Sequence, residues 1–230
     1  MSSTSENLQV LYEDNHLIAV NKRPGDIVQG DKTGDKPLSE IVKSYLKTKH
    51  NKPGNVYLGV VHRLDRPTSG VILFAKTSKA LSRLNKAFAA HDTDKIYWAL
   101  VKNKPENPSA KLIHYLKRNP KQNKSYAHIK PVENSKKAIL NYNIIKNLDN
   151  YFLLEIKLET GRHHQIRSQL SAIGCPIKGD LKYGFDRSNK DASIHLHAKT
   201  LRLIHPVRKE SITFEADLPK ENLWQSCLKN

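Results

Sequence analysis

Residues 8–21 (LQVLYEDNHLIAVN) hold two apolar runs around Glu13-Asp14-Asn15, the pattern of two short strands joined by a tight turn. Pro24-Gly25 and the polar stretch 30–37 then mark a long loop. Leu38, Ile41, Val42, Tyr45 and Leu46 recur at helical spacing and predict a helix over 38–47, broken by Lys52-Pro53-Gly54. Residues 56–61 and 71–75 read as strands with a polar loop between them. Ser78 stands as the N-cap of a helix whose apolar face is Leu81, Leu84 and Phe88. Residues 96–101 form another strand, and 103–110 (NKPENPSA) a turn or short linker. Residues 139–145 and 152–158 are strands, the second a half-buried one in which Phe152, Leu154, Ile156 and Leu158 alternate with Leu153, Glu155 and Lys157. Thr160 is the expected cap of a helix with Ile166, Leu170 and Ile173 on one face, stopped by Gly174. Leu223, Trp224, Cys227 and Leu228 suggest a closing helix.

Strands in runs, interrupted by few helices, define an α+β fold with a largely antiparallel mixed β-sheet flanked by helices. Strict strand–helix alternation is absent, as are GxGxxG and GxxxxGK[ST], which argues against a doubly wound nucleotide fold. The chain of 230 residues is expected to fold as a single domain over 8–230, preceded by a frayed N-terminus at 1–7. No apolar run approaches the ~20 residues of a membrane helix, and the N-terminus lacks the basic and apolar regions of a secretory signal. The two cysteines, Cys175 and Cys227, are too few for a disulfide framework and read as reduced thiols of a cytoplasmic protein.

Charge changes the picture most. Lys and Arg number 39 against 22 Asp and Glu, a formal net charge of +17. An excess of this size speaks about partners and points to a polyanion, nucleic acid first. Residues 117–137 concentrate seven Lys/Arg against one acid, Glu133, and read as a loop or ragged hairpin that could serve as a nucleic-acid arm or simply be a solvated face.

Two segments could carry chemistry. His62-Arg63-Leu64-Asp65-Arg66-Pro67-Thr68-Ser69-Gly70 sets a carboxylate between two guanidiniums on a loop between strands. Pro67 and Ser69-Gly70 supply turn chemistry, so Asp65 is spare. An oriented carboxylate set between cations can act as a nucleophile. The residues alone leave open a plain Asp–Arg structural pair. Gly161-Arg162-His163-His164-Gln165-Ile166-Arg167 lies at a predicted helix start, where anions are favoured, so Arg162, His163 and Gln165 could face phosphate or a base edge. Of the close histidine pairs, His163-His164 would diverge by ~100° on a helix. His195 and His197 would share a strand face, but no acidic cluster or HExxH accompanies them, and no metal site is expected. His62-Arg63-Leu64-Asp65 has one residue more than the kinase catalytic loop, and DFG and a glycine loop are missing. GxSxG is absent too.

Taken together and in order, these segments resemble the RluA-type pseudouridine synthase family. His62-Arg63-Leu64-Asp65 with Pro67-Thr68-Ser69-Gly70 is similar to its catalytic loop, and Lys95-Ile96-Tyr97-Trp98-Ala99-Leu100-Val101 to its tyrosine-bearing strand. Thr160–167, Pro176-Ile177-Lys178-Gly179-Asp180 and Tyr183-Gly184 are similar to its third motif, and Leu196-His197-Ala198 with His205-Pro206 to its close. The resemblance covers about residues 10–218. Two departures stand out. The family's Lys-Pro-x-Gly appears as Lys22-Arg23-Pro24-Gly25, a loop placed near RNA, and only about seven residues precede the first strand, so an N-terminal S4 domain is not expected.

The resemblance implies the pseudouridine synthase catalytic fold and isomerisation of uridine in ribosomal or transfer RNA, read as a shaped stem-loop, with no cofactor. No long apolar helix face is left over, so a monomer is expected, with no metal and no membrane. Asp65 would start the reaction on a flipped-out nucleotide, Tyr97 would pack on the uracil, and Arg167 would pair with Asp65. Arg63 would fill the vacated space or hold the flipped strand, and Arg66, Arg162, His163 and Gln165 would contact RNA. The rival readings are an inactive RNA-binding protein or RNA chaperone on the same scaffold, and a metal-dependent nuclease. The second needs a carboxylate cluster, whereas Asp65, Glu159 and Asp180 are scattered along the chain.

Overall fold

The computed structural model describes residues 2–31 and 33–228. In chain order its elements are β1 (Val10–Glu13), β2 (Leu17–Lys22), α1 (Leu38–Lys49), β3 (Gly59–Val60), β4 (Ser69–Ala75), α2 (Ser78–Ala89), β5 (Thr93–Val101), β6 (Ser109–Asn119), β7 (Lys124–His128), β8 (Lys136–Asn147), β9 (Phe152–Leu158), α3 (Gln165–Ala172), β10 (Leu196–Ile204), β11 (Ser211–Glu215) and α4 (Asn222–Ser226). The architecture is α+β, with a mixed, largely antiparallel sheet and few helices. No helix among the described residues is long and apolar enough to cross a membrane. Contacts cluster into two compact units, Met1–Asp94 with Ala198–Pro219, and Lys95–His197 with Lys220–Asn230.

In the first unit the strand order is β1-β2-β4-β10, with β11 on β10 and β3 on β4. Both faces of β2 and β4 are covered. Ile18, Val20, Ile72 and Phe74 pack with Leu38, Ile41, Val42 and Leu46 of α1. Leu17, Ala19, Val71 and Leu73 pack with Ala80 and Leu84 of α2 and with Leu201, Leu203 and Phe214. Burial on both faces is why these two strands read as continuous apolar runs rather than alternating ones. Helix α2 is capped by Thr77, whose Oγ1 accepts from Ala80 N at 3.2 Å, one residue earlier than the predicted Ser78. The strand expected over 56–61 shrinks to β3. Of residues 1–7, Met1 lies outside the described residues, and Ser3 is buried and donates through N and Oγ to the Asp26 carboxylate at 3.1 and 2.6 Å.

A charge knot closes this unit. Glu13, at the end of β1, accepts from Lys49 Nζ at 2.8 Å, Lys76 Nζ at 2.7 Å and His50 Nε2 at 2.7 Å. Burial alone would raise the carboxyl's pKa, but these donors outweigh it and hold it at about 2. A depressed folded-state value means the stabilisation is complete above the ordinary glutamate range and is lost as pH falls towards about 2. Urea unfolding compared above that range and midway down it should therefore show a larger acid loss for the wild type than for Glu13→Gln. Equal losses would contradict the knot's role.

In the second unit the order is β5-β9-β8-β6-β7. One face packs on α3, where Ile166 and Leu170 meet Leu140, Tyr142, Leu154 and Ile156. Helix α3 ends in a Schellman motif: Cys175 N donates to Leu170 O at 2.9 Å and Gly174 N to Ser171 O at 3.0 Å, with Gly174 at φ 73°. The expected cap, Thr160, is not the N-cap. Its Oγ1 accepts from Ile139 N and donates to Gln165 Oε1, both at 2.8 Å, and α3 starts after His164. The segment 117–137 resolves into the end of β6, a turn in which Asn123 N donates to Pro120 O, the strand β7, and a second turn leading to β8.

Candidate active site

Loop 62–70 of the first unit carries Arg63, Asp65 and Arg66, and its shape is fixed from beneath. Thr68 N donates to Asp65 O at 3.0 Å, closing a turn around Arg66-Pro67, and Gly25 N donates to Arg66 O at 2.8 Å. Lys22, at the end of β2, is 1% exposed. Its ammonium donates to three backbone carbonyls, Arg23 O at 3.0 Å, Arg66 O at 3.0 Å and Thr68 O at 2.6 Å. Three donors meet three acceptors, so burial is tolerated. Burial nevertheless pulls the Lys22 pKa down to about 7, against the opposing pull of Asp26 and Asp65. The segment Lys22-Arg23-Pro24-Gly25, expected near RNA, thus serves as the tether of the Asp65 loop.

Ser69-Gly70, expected to be turn residues, open β4 instead. Gly70 is required there by close approach: at φ 113° a Cβ would lie 2.3 Å from Ala198 O. His62 is a support, its Nε2 accepting from Leu73 N at 3.0 Å and its ring stacked on Phe88 at 5.0 Å. Asp65 is half-buried, and Arg63 and Arg66 are exposed. Arg66 bonds Thr33 Oγ1 at 2.9 Å and also Asp35, a partner the sequence did not announce.

The second unit brings together Tyr97 and the third motif. Tyr97 on β5 stands opposite Ile156 of β9 and packs on the core that includes Ile166 and Leu170 of α3. Arg167, on α3, is 5% exposed and grips Asp180 bidentately, Nε to Oδ2 at 2.7 Å and Nη2 to Oδ1 at 2.8 Å. The sequence gives Asp180 no role as a partner of this guanidinium. The guanidinium also lies 5.0 Å from the Tyr183 ring centre. Tyr183 Oη accepts from Ser125 N at 2.8 Å and bonds His164 Nδ1 at 3.0 Å, which fastens β7 to the start of α3.

The other motif residues also carry hydrogen bonds within the protein. Gln165, expected to face RNA, is buried: its Oε1 accepts from Arg162 N at 2.9 Å and its Nε2 donates to Ile139 O at 3.0 Å. Arg162 Nε donates to Lys137 O at 3.0 Å. His163 bonds Ser125 Oγ through Nδ1 at 2.8 Å and Asn123 Oδ1 through Nε2 at 3.2 Å. The rings of His163 and His164, expected to diverge on a helix, stack at 3.8 Å, because both precede α3 and His164 takes a left-handed φ of 52°. His195 is committed to Glu221 through Nε2 at 2.8 Å and to Asn189 through Nδ1 at 3.0 Å. Among the described residues no three His, Cys, Asp or Glu side chains group as metal ligands.

Residues 16–172 match the family model described as RNA pseudouridylate synthase. The chain belongs to that family and is an RNA pseudouridine synthase, an isomerase. It is 32% identical over 227 residues to ribosomal large subunit pseudouridine synthase D of Zymomonas mobilis, covering 93% of this chain and 70% of that protein. It is 36% identical over 220 residues to ribosomal large subunit pseudouridine synthase C of Rickettsia felis, covering 91% and 67%. With tRNA pseudouridine synthase C of Vibrio cholerae it shares 29% over 239 residues, 96% of this chain and 94% of that one. The fold is shared with the solved structure of human RNA pseudouridylate synthase domain containing 4, at TM-score 0.77 and 23% identity over 94% of this chain and 90% of that one.

Proposed function

We propose that this chain converts specific uridines of structured ribosomal or transfer RNA to pseudouridine, with Asp65 starting the reaction. The observation that carries the proposal is the Asp65 loop, tethered through two of its carbonyls by the buried Lys22. Pre-set geometry is what a reacting carboxylate needs. The names of the relatives support the substrate class, since they include synthases acting on the ribosomal large subunit and on tRNA. The net charge of +17 suits a polyanion.

In the reaction the bond between uracil N1 and ribose C1′ breaks, the base turns, and C5 bonds to C1′. N1 gains a proton and C5 loses one, so electrons balance without an oxidant or reductant. The base leaves its stack first, at a cost of a few kcal/mol. Tyr97 packs on the flipped uracil, and Arg63, exposed beside Asp65, holds the displaced strand. Arg167 completes the set of side chains on which turnover depends.

Carbodiimide mapping by primer extension tests the substrate class. Ribosomal and transfer RNA from a strain lacking the gene, incubated with the protein, should gain a stop at one or a few uridines in one of the two pools. No new stop in either pool would overturn the assignment.

A further inference from the structure

Strand register divides the side chains of β6, β7 and β8 between two faces. Ala110, Tyr142, Ile156 and Tyr97 lie in one row across four strands, on the face packed against α3. His114 and Ala138 share that face and are tied to α3 through Gln169, whose Nε2 bonds His114 Nδ1 at 3.1 Å and Ala138 O at 3.4 Å. The neighbouring positions point the other way, because successive strand residues alternate. There His128, Tyr115 and Lys137 form a row across three strands, Tyr126 and Lys117 stand opposite each other in the next, and Ile113 faces Ile139 in the one before.

This outward face is neither the face of a core nor that of a simply solvated sheet. Ile113 is 45% exposed and Tyr126 41%. Lys124 Nζ lies 5.3 Å from the Tyr126 ring centre, a cation held over an aromatic. Lys111, one row away, is neutralised by Glu159 at 2.8 Å, but Lys117 and Lys137 are exposed and stand beside the aromatic side chains. Aromatic rings interleaved with lysines on a flat strand surface suit single-stranded nucleic acid: bases stack on the rings and phosphates meet the ammonium groups.

We infer that the outward face of β6, β7 and β8, on the side of the sheet away from Tyr97, binds a single-stranded segment of RNA at a distance from the modified uridine. The inference rests on RNA being the substrate. It assigns Tyr115, Tyr126 and His128 as stacking surfaces and Lys117 and Lys137 as phosphate contacts.

The probe is a fluorescein-labelled oligouridylate about twenty nucleotides long, longer than a single-strand site of ~4–16 nucleotides. Anisotropy should show binding weakened at least about fivefold by Tyr126→Ser. Lys117→Glu/Lys137→Glu should weaken it too and flatten the salt slope by about 1 to 2. The wild type, cross-linked to the same probe carrying 4-thiouridine, should be labelled on peptides containing residues 115–128 or 137, a readout that needs no variant to fold. Unchanged affinity in both variants, or cross-links confined to other peptides, would overturn the second surface. Tritium release from 5-tritiated-uridine RNA by the wild type is measured alongside. Its absence counts against the enzymatic reading, whereas release together with unaltered probe binding counts against the second surface alone.

Discussion

Arg167→Ala is expected to lose about 3–5 kcal/mol of stability in urea unfolding, the cost of leaving a buried ion without its partner. Asp180 is 1% exposed and receives two bonds from Arg167 in fork geometry, so truncation strands a carboxylate in the interior. The guanidinium also stacks on Tyr183, whose hydroxyl fastens β7 to the start of α3, and that packing goes with it. Arg167→Ala/Asp180→Ala separates structure from chemistry. Removing both charges should restore much of the stability, because no lone ion remains, but not turnover. A single variant within about 1 kcal/mol of wild type would refute the buried pair. Turnover regained by the double variant would confine Arg167 to a structural role.

Lys22→Met should show the opposite balance, with stability close to wild type and kcat lower by ~10²-fold. A pKa drawn down to about 7 says that the buried ammonium's bonds do not fully make up for its lost hydration. A methionine of similar length fills the space without a charge to bury, and such exchanges are often neutral or stabilising. What it removes is the tether: Thr68 O loses the ammonium, Arg66 O keeps only the Gly25 amide, and the turn that carries Asp65 is free to shift. Displacement by ~1 Å in a reacting group suffices for a loss of this size. Because Lys22 acts through the loop, KM should move less than kcat. A kcat within about threefold of wild type, in a folded variant, would show that the loop holds its shape without the lysine.

Much of the fold was legible because it is written in local periodicity. The hairpin of β1 and β2, the helix α1 and the strand β9 follow from apolar spacing, and the structure places them within a few residues of expectation. What escaped depends on distant partners. Thr160 has the look of a cap, but Ile139 of β8 supplies a competing amide and takes its hydroxyl. Strand β6 was hidden because its outward positions alternate lysine with isoleucine and tyrosine and run straight into a charged turn. The site shows the same division. Asp65, Tyr97 and Arg167 stand in recognisable motifs. The tether is invisible locally, since Lys22 meets carbonyls 44 and 46 residues further along. Its only trace is a lysine ending an apolar strand beside Pro24-Gly25. Gln165 misled because a polar residue at a helix start normally faces solvent, while here its amide is spent on the turn at 160–162 and on β8.

The central claim, that this chain isomerises uridine in RNA through Asp65, is tested most directly by tritium release from 5-tritiated-uridine RNA. The RNA is taken from cells lacking the gene and offered to the wild type and to Asp65→Ala, with circular dichroism showing both folded. The account predicts release by the wild type and none above background by the variant. Release by Asp65→Ala at a rate near that of the wild type would contradict it.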